Sequence, residues 1–245
     1  MNVLITGSRG FVGQNLKKRL NGVNIYEFNR GDSFETFDNL QNIDAVFHFA
    51  GEVDPKLDEN RIVDGNSGLT EIIAEKLKKI KKPLLIVFSS SIHAQLQKNS
   101  YGKAKRKAEK VLEELAFNYG HKVVIYRLPH LFGEGCKPNH NSVITTWIYN
   151  CINNKELVIF DKNMKITYAY IKDLVDEFSQ ELIKGVDNEI LVYKKPAVVF
   201  NTTLGDVAER ICEFKELILK NKIRDMNEFE KRLFETVRYY LNKSL

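Results

Sequence analysis

The sequence predicts an α/β fold: an open, doubly wound parallel sheet followed by a small C-terminal lobe. Three observations predict it: short apolar runs bounded by turn residues, helical stretches between those runs, and a glycine-rich turn directly after the first run. The alternation holds up to Leu128 and then loosens. We therefore expect one domain over residues 1–128 and a lobe over 129–245 packed on it, with chain exchange between the two.

The first domain is predicted element by element. The run at 2–6 ends at a glycine, as a buried strand would, and Asn21-Gly22 ends the helix that follows. Pro83 ends a later helix, and the run after it is apolar throughout, which is typical of a central parallel strand. The predicted strands lie at 2–6, 23–28, 45–51, 84–91 and 122–128. The predicted helices lie at 11–20, 34–40, 68–80 and 104–119.

The C-terminal part has a weaker pattern. Residues 142–151 are expected to be helical, 157–160 and 190–193 to be short strands, and the chain from Thr203 onward to be charged and rich in helix. No low-complexity linker separates this part from the first domain. We expect a lobe that packs on the sheet and not an independent domain.

Composition narrows the function classes. The net charge is +5 over 245 residues, and no arginine-rich tract or nucleic-acid motif stands out, so a nucleic-acid partner is not expected. No apolar run is long enough to enter a membrane, and no signal peptide is apparent, so we expect a cytoplasmic protein. The three cysteines, Cys136, Cys151 and Cys212, form neither a disulfide framework nor a metal site, and no metal is expected.

The glycine turn predicts a dinucleotide site. Gly7, Gly10 and Gly13 follow a strand and open a helix, which permits a tight turn and close approach of the backbone to a pyrophosphate. The free N–H groups of the helix N-terminus then face the anion. The sheet is accordingly expected to be Rossmann-like. The predicted cofactor residues in this turn are Gly7, Ser8, Arg9, Gly10, Phe11, Val12 and Gly13.

The residues after the second strand favour NADPH over NAD. An NAD site usually places an acidic residue there, whereas an NADP site accommodates the extra phosphate with arginine. Arg30 is the better-placed candidate, with Arg9 as a second cation. Glu27 lies too early in the strand to bond the ribose. The alternative is that both arginines are merely exposed.

A third motif carries reaction chemistry. Tyr101 and Lys105 are four residues apart, so they share one face of a helix. A lysine beside a phenol is expected to lower the tyrosine pKa, so that the hydroxyl can exchange a proton near neutral pH. The run Ser89-Ser90-Ser91 ends an apolar strand, and a hydroxyl there could bond the same substrate oxygen.

Together these motifs resemble the extended short-chain dehydrogenase/reductases, the NAD(P)-dependent epimerase/dehydratase superfamily. HFAG at 48–51 resembles the strand that contacts the cofactor, RLPHLFG at 127–133 the segment near the nicotinamide, and TYAYIKDL at 167–174 a segment of the substrate-binding lobe. The resemblance implies Ser91, Tyr101 and Lys105 as the catalytic set. It also implies further cofactor contacts at Phe49, Ala50, Gly51, Ser89, Leu128 and Pro129, with Ser90 as an alternative to Ser89.

Within that family, SSSIHA and the stretch from Tyr126 to Val143 resemble the reductase domain of bifunctional capsular-polysaccharide enzymes. Those enzymes reduce the C4 ketone of a UDP-linked 2-acetamido-2,6-dideoxy-hexos-4-ulose with NADPH and carry a C-terminal cupin domain for epimerisation. The present sequence stops at Leu245, before any such domain. Reduction is therefore the implied activity, with a stand-alone reductase and a truncated bifunctional enzyme both open.

The substrate contacts follow from the same resemblance and from residues 137–142, whose cation, amides and hydroxyl suit phosphate and sugar groups. Ile92 and His93 occupy the positions where family dehydratases carry an acidic pair, so dehydration is not expected. Asn66 matches an asparagine that supports the active site, with a plain helix cap as the alternative. Asn141 and Ser142 are candidate caps as well. The residues expected to contact a nucleotide-sugar are Glu52, Ser91, His93, Asn139, Asn141 and Ser142.

Two other functions stay open. An NAD-dependent nucleotide-sugar 4-epimerase would share Tyr101 and Lys105, but Arg30 argues against it. A non-enzymatic dinucleotide sensor would need only the glycine turn, so the Ser–Tyr–Lys set argues against that. Family members often pair through a helix bundle, so a homodimer is an expectation by analogy.

Overall fold

The computed structural model describes residues 1–35, 42–54 and 57–244 of the chain. The described chain forms two compact units. The first consists of Met1–Leu128 and Val175–Pro196, and the second of Pro129–Leu174 and Ala197–Leu245. Residues 175–196, which belong to the C-terminal stretch of the sequence, thus complete the first unit.

The first unit is built on a six-stranded parallel sheet. Its strands are β1 (Asn2–Thr6), β2 (Asn24–Phe28), β3 (Ala45–His48), β4 (Leu85–Ser91), β5 (Lys122–Leu128) and β8 (Leu191–Lys194). Its helices are α1 (Phe11–Arg19), α2 (Glu59–Val63), α3 (Leu69–Leu77), α4 (Ile92–Leu96), α5 (Ser100–Tyr119) and most of α7 (Ile171–Lys184). A π-helical turn, Asp64–Gly68, joins α2 to α3.

The strand order is β2-β1-β3-β4-β5-β8. From β1 the chain adds β2 on one side and β3 on the other, so the order reverses between β1 and β3. Right-handed crossovers therefore place helices on opposite faces of the sheet, and ligands of such sheets bind at the carboxyl ends of the strands beside the reversal. The predicted doubly wound parallel sheet is confirmed.

The core of this unit lies between the central strands and the helices. Leu4, Val46 and Ile86 are fully buried on neighbouring strands, and α5 packs Ala108 and Leu112 into the same cluster. Because the central strands are covered on both faces, they are apolar nearly throughout, which is what made them visible in the sequence.

The second unit contains a three-stranded sheet of order β6-β7-β9 and three helices. The strands are β6 (His130–Phe132), β7 (Lys165–Tyr170) and β9 (Phe200–Thr203), with β6 parallel and β9 antiparallel to β7. The helices are α6 (Val143–Ile152), α8 (Leu204–Leu219) and α9 (Glu228–Ser244).

Several sequence-based expectations change here. The predicted strand at 157–160 is wrong: the structure describes these residues and they form no strand, with Phe160 97% exposed. An apolar run becomes a strand only where its side chains pack against neighbouring strands, because β-propensity depends on that context. All three strands of the small sheet were missed because each is only three to six residues long. The helix expected at 34–40 falls mostly outside the described residues.

Candidate active site

The glycine turn between β1 and α1 is a tight, side-chain-free corner. The Gly7 amide donates to the Phe28 carbonyl at 2.7 Å, and the Gly10 amide donates to the Gly7 carbonyl at 2.9 Å. Gly7 has φ +69°, and a Cβ there would stand 2.7 Å from the Ala50 amide nitrogen. A Cβ on Gly13 would collide with the Gly7 carbonyl. The turn therefore requires glycine at both positions and leaves backbone free to approach a pyrophosphate.

The end of β3 is held against this turn. The Ala50 amide donates to Thr6 Oγ1 at 3.2 Å, and the same hydroxyl lies 2.7 Å from His48 Nδ1. His48 Nε2 lies 2.9 Å from the Thr70 hydroxyl, so both ring nitrogens have partners. Burial lowers the pKa of His48 to about 3, which keeps the ring neutral. The buried His48 ring therefore links the end of β3 to the end of β1, and both strand ends lead into segments predicted to hold the cofactor.

The end of β2 is joined to the turn through Asn29, a residue that the sequence analysis missed. Asn29 Oδ1 accepts from the Arg9 amide at 3.0 Å, Asn29 Nδ2 donates to Ser8 Oγ at 2.9 Å, and the side chain is buried. The Ser8 hydroxyl also donates to Glu27, whose carboxylate bonds Lys17 at 2.9 Å. These contacts lower the pKa of Glu27, and its carboxylate is already hydrogen-bonded to side chains of the same unit.

The two residues predicted for different ligands, Arg30 and Glu52, form an ion pair with each other. The Arg30 side chain is 75% exposed, whereas the Glu52 side chain is only 17% exposed. Glu52 lies just beyond β3 and packs against Gly65 of the π-helical turn. The guanidinium is thus held close to the carboxyl edge of the sheet while staying accessible.

Ser91, Tyr101 and Lys105 come together at the carboxyl end of β4. Asn99 caps α5 by accepting from the Gly102 amide at 2.8 Å, so the helix begins at Ser100 and carries both Tyr101 and Lys105. The Tyr101 hydroxyl shares a hydrogen bond with Ser91. Lys105 Nζ lies 6.0 Å from the centre of the Tyr101 ring. The three predicted catalytic side chains therefore form one cluster.

The electrostatics of this cluster are set by burial. Burial lowers the pKa of Lys105 to about 8, and the lysine donates to the Ser89 carbonyl at 3.0 Å. Burial raises the pKa of Tyr101 to about 12, and the bond to Ser91 opposes this only in part. We expected a lowered tyrosine pKa; it is raised because desolvation of the phenolate outweighs the other effects. Tyr101 is therefore a protonated donor at neutral pH.

Asn66 and Lys105 both approach Gly51 closely. A Cβ on Gly51 would stand 2.6 Å from Asn66 Oδ1 and 3.4 Å from Lys105 Nζ. Asn66 Nδ2 donates to the carbonyls of Glu52 and Ile62 at 2.9 and 2.8 Å. Its Oδ1 is buried with no hydrogen-bond partner among the described residues. A buried amide oxygen of this kind calls for a donor from a ligand or a water.

Ser89, Ser90 and Ser91 are consecutive residues of β4, so neighbouring side chains in this run point to opposite faces of the sheet. Ser90 donates to Glu109 of α5 at 2.6 Å, inside the unit. Glu109 is fully buried, and its carboxylate also accepts from Arg127 Nε at 3.0 Å, from Arg127 Nη2 at 2.8 Å and from Arg106. Ser90 is therefore a structural anchor, and Ser89, whose carbonyl meets Lys105, is the better-placed of the two alternatives.

Other predicted contacts have definite surroundings. The His93 ring meets Tyr101 edge-on, with 6.1 Å between ring centres, and its amide donates to Ser91 Oγ at 3.2 Å. Leu128 ends β5 and is buried, and Pro129 is the first residue of the second unit. His93 thus lies beside Tyr101 and Ser91, and its contact with substrate stays a prediction.

The remaining predicted substrate residues lie in the second unit, in the loop before α6. Asn139 and Asn141 are exposed, with φ of +57° and +55°. Ser142 caps α6: its Oγ accepts from the Thr145 amide at 3.3 Å and donates to the Thr145 hydroxyl at 3.1 Å. Of the two candidate caps in the sequence, Ser142 is the one used.

Two site residues escaped the sequence analysis, Asn29 and Glu109. Asn29 lay beside Arg30 but carried no motif of its own. Glu109 stands four residues after Lys105 on the same helix face, and that spacing was the available signal. Both act through partners far away in the sequence, which no local pattern shows.

The fold and the site define a dinucleotide-binding α/β protein. Its Ser–Tyr–Lys cluster lies at the carboxyl ends of the strands. The chain belongs to the NAD dependent epimerase/dehydratase family, whose model matches residues 3–192. This match confirms the resemblance that the sequence motifs indicate. Members of the family are NAD(P)-dependent enzymes.

The chain is also similar to an individual curated protein. It is 33% identical over 219 residues to the UDP-2-acetamido-2,6-beta-L-arabino-hexul-4-ose reductase of Pseudomonas aeruginosa, covering 88% of this chain and 58% of the relative. The chain therefore spans somewhat more than half the length of that curated relative.

Solved structures agree with this placement. The capsular polysaccharide assembling protein CapF from Staphylococcus aureus matches with a TM-score of 0.86 and 36% identity, over 100% of this chain and 67% of that one. The UDP-glucose 4-epimerase of Thermotoga maritima matches at a TM-score of 0.83 but only 19% identity, over 100% of both chains, and so shows the fold alone.

Two further features bear on the class of site. Within residues 1–35, 42–54 and 57–244, no helix has the length and apolar character needed to cross a membrane. In the same part of the chain, no group of three or more His, Cys, Asp or Glu side chains could hold a metal ion.

Proposed function

We propose that this chain catalyses the NADPH-dependent reduction of the C4 ketone of a UDP-linked 2-acetamido-2,6-dideoxy-hexos-4-ulose in surface polysaccharide biosynthesis. The observation that carries the proposal is the Ser91–Tyr101–Lys105 cluster at the carboxyl end of β4, with the tyrosine protonated. The relative named as a hexul-4-ose reductase, 33% identical over 88% of this chain, supports the substrate class.

The residues around the glycine turn fit a dinucleotide. The backbone of 7–13 would receive the pyrophosphate, because the turn carries no side chain at its closest points. Lys105 Nζ and the unpartnered Asn66 Oδ1, which both lie close to Gly51, would offer a donor and an acceptor to ribose hydroxyls or a bridging water. When bound, the reduced nicotinamide supplies a hydride to the C4 carbon of the ketone.

The chain's own residues supply the proton and hold the oxygen. Tyr101 donates its hydroxyl proton to the C4 oxygen as the ketone becomes a secondary alcohol, which completes the addition of a hydride and a proton. Ser91, already bonded to Tyr101, holds the same oxygen. The Lys105 ammonium stabilises the phenolate that Tyr101 becomes, and a buried position strengthens that effect.

The preference for NADPH rests on Arg30 and Arg9. The Arg30 guanidinium is accessible at the edge of the sheet, and Glu27, the acidic residue of β2, is already bonded to Ser8 and Lys17. Arg30 would therefore bind the 2′-phosphate, while Glu52 holds the guanidinium in place.

Arg30→Ala tests this preference. We expect the Kd for NADPH to rise about tenfold to a hundredfold while the Kd for NADH changes little, because only one cofactor carries the phosphate. Titration of intrinsic fluorescence or calorimetry measures both. Arg61→Ala, at an exposed arginine of α2, is the matched control. Equal weakening of both cofactors would overturn the assignment.

In the second unit, we propose that Asn139 and Asn141 bond the nucleotide-sugar. Their exposed amides have hydrogen-bonding capacity available for a ligand. Ser142 is weaker in this role, because its hydroxyl proton is directed at Thr145.

The test of the whole proposal is an assay of the purified chain with NADPH and a panel of UDP-, dTDP- and GDP-linked 4-keto sugars. Loss of NADPH absorbance with formation of the 4-hydroxy sugar, fastest for the UDP-linked 2-acetamido substrate, is the expected result. Purification with NAD bound, and interconversion of 4-hydroxy sugars without net cofactor turnover, would contradict reduction and support a 4-epimerase.

A further inference from the structure

The second unit brings two cysteines together although they are distant in the sequence. Cys151 lies in the last turn of α6 and Cys212 in α8, 61 residues apart. Their Sγ atoms are 3.7 Å apart, with the Cys151 thiol donating to Cys212. Cys136, the third cysteine, is buried elsewhere in the unit. None of the three takes part in the proposed reduction.

The approach of the two thiols is held by a neighbouring lysine. Lys215 lies one turn after Cys212 on α8, and its Nζ donates to the Cys151 carbonyl at 2.9 Å and to Asn154 Oδ1 at 2.9 Å. These bonds fix the end of α6 against α8 at the level of the thiols. The sulfur separation therefore belongs to a hydrogen-bonded contact between two helices and not to two loose side chains.

Access differs between the two thiols. Cys212 is exposed and Cys151 is half-buried behind it. Burial beside Cys212 raises the pKa of Cys151 to about 11, so Cys151 stays a protonated thiol at neutral pH. A small oxidant in solution therefore meets Cys212 first, and Cys151 is placed to resolve the product.

We propose that Cys151 and Cys212 form a reversible disulfide, linking α6 to α8, when the chain meets a low-molecular-weight disulfide such as oxidised glutathione. Bond formation requires the sulfurs to close from 3.7 Å to about 2.0 Å. The contact is a modification site in the unit that carries Asn139 and Asn141.

The reaction proceeds in two exchanges. The Cys212 thiolate attacks one sulfur of oxidised glutathione, which forms a mixed disulfide and releases one glutathione thiolate. Cys151 then gives up its proton, attacks the Cys212 sulfur and displaces the second glutathione thiolate. Overall, two protein thiols are oxidised by two electrons, and the two released protons end on two molecules of reduced glutathione.

The bond has consequences for the fold of this unit. It closes a loop between residues 61 apart, which restricts the unfolded chain and raises the melting temperature. It also ties the C-terminal end of α6, whose N-terminal end is capped by Ser142, to α8. Reduction by a dithiol reverses both effects.

The test is oxidation of the reduced, purified chain with excess oxidised glutathione, followed by acid quench, alkylation and peptide mass spectrometry under non-reducing conditions. We expect a linked peptide pair containing Cys151 and Cys212, with Cys136 alkylated. We also expect a melting temperature several degrees above that of the reduced chain, lost again on addition of dithiothreitol. The Cys136→Ser variant should behave in the same way.

Two variants keep the outcome clear. Cys151→Ser should stop at glutathione bound to Cys212, and Cys151→Ser/Cys212→Ser should show no oxidation-dependent change in melting temperature. A wild-type chain that stops at the glutathione adduct, or that forms only disulfides between molecules on a non-reducing gel, would overturn the proposal.

Discussion

The two units differ in how they hold the side chains predicted to form the site. In the first, Thr6, His48, Lys105 and Glu109 are buried and each is fixed by named partners. In the second, the residues predicted to meet substrate are exposed on a loop. Reaction chemistry needs groups held in advance in a water-excluded setting, whereas recognition of a sugar is compatible with accessible amides. Substitutions in the first unit should therefore have larger effects.

The largest effect is expected at Tyr101. Tyr101→Phe removes the donated proton and keeps the ring, so kcat for ketone reduction should fall about 10³-fold with little change in KM or melting temperature. Steady-state kinetics measures this. Tyr119→Phe, at the exposed end of the same helix, is the control. A Tyr101→Phe variant within tenfold of the parent would refute the assigned role.

Glu109 comes next, and its effect is on stability. Glu109→Ala leaves the Arg127 and Arg106 guanidiniums without their buried partner and Ser90 without its acceptor. We expect a loss of about 3 kcal/mol in the free energy of unfolding, measured by urea denaturation. Glu114→Ala on the same helix removes a carboxylate that is 50% exposed and should cost less than about 1 kcal/mol. Similar losses for both would contradict the anchoring role.

A smaller effect concerns pH. Because burial lowers the pKa of Lys105 to about 8, the ammonium is present below that pH and is lost above it. Tyr101, with its pKa raised to about 12, stays protonated over the same range. We expect kcat/KM to fall by up to about tenfold per pH unit above pH 8.

The pH profile of the parent enzyme measures this fall, and Lys105→Arg is its control. Arginine keeps its charge, so the alkaline fall should move beyond the accessible range whatever activity remains. A flat parent profile to about pH 10, or an unchanged fall in Lys105→Arg, would show that another group controls the reaction.

The smallest effect is expected in the second unit, at Asn141. With φ at +55°, Asn141→Ala should cost about 1 kcal/mol of stability, whereas Asn141→Gly should cost little because glycine tolerates that backbone. Both variants lose the amide, so both should raise KM for the nucleotide-sugar by a similar factor with kcat nearly unchanged. A KM increase in the alanine variant alone would assign the effect to the backbone.

The same contrast explains what the sequence could predict. The glycine turn and the Tyr101–Lys105 pair are short-range patterns, and the central strands are apolar runs. The fold and the shared helix face of Tyr101 and Lys105 could therefore both be predicted from the sequence. Asn29 and Glu109 were not, because their partners lie 20 and 18 residues away and depend on how strands and helices pair.

The errors have physical causes too. At 157–160 the apolar run pairs with no strand of the described chain, and Val158 and Phe160 remain exposed. The direction of the Tyr101 pKa was wrong because residue spacing carries no information on burial. The contact between Cys151 and Cys212 depends on α6 packing against α8, which their positions in the chain do not show.

The return of residues 175–196 to the first unit has a practical consequence for dissecting the protein. A fragment ending at Leu128 would lack β8, whose residues 191–194 pair with 123–126 of β5. Val123, Val124 and Ile125, now fully buried, would then sit on an open edge with unpaired backbone. Such an edge favours strand pairing between molecules, so the fragment should aggregate although it holds Ser91, Tyr101 and Lys105.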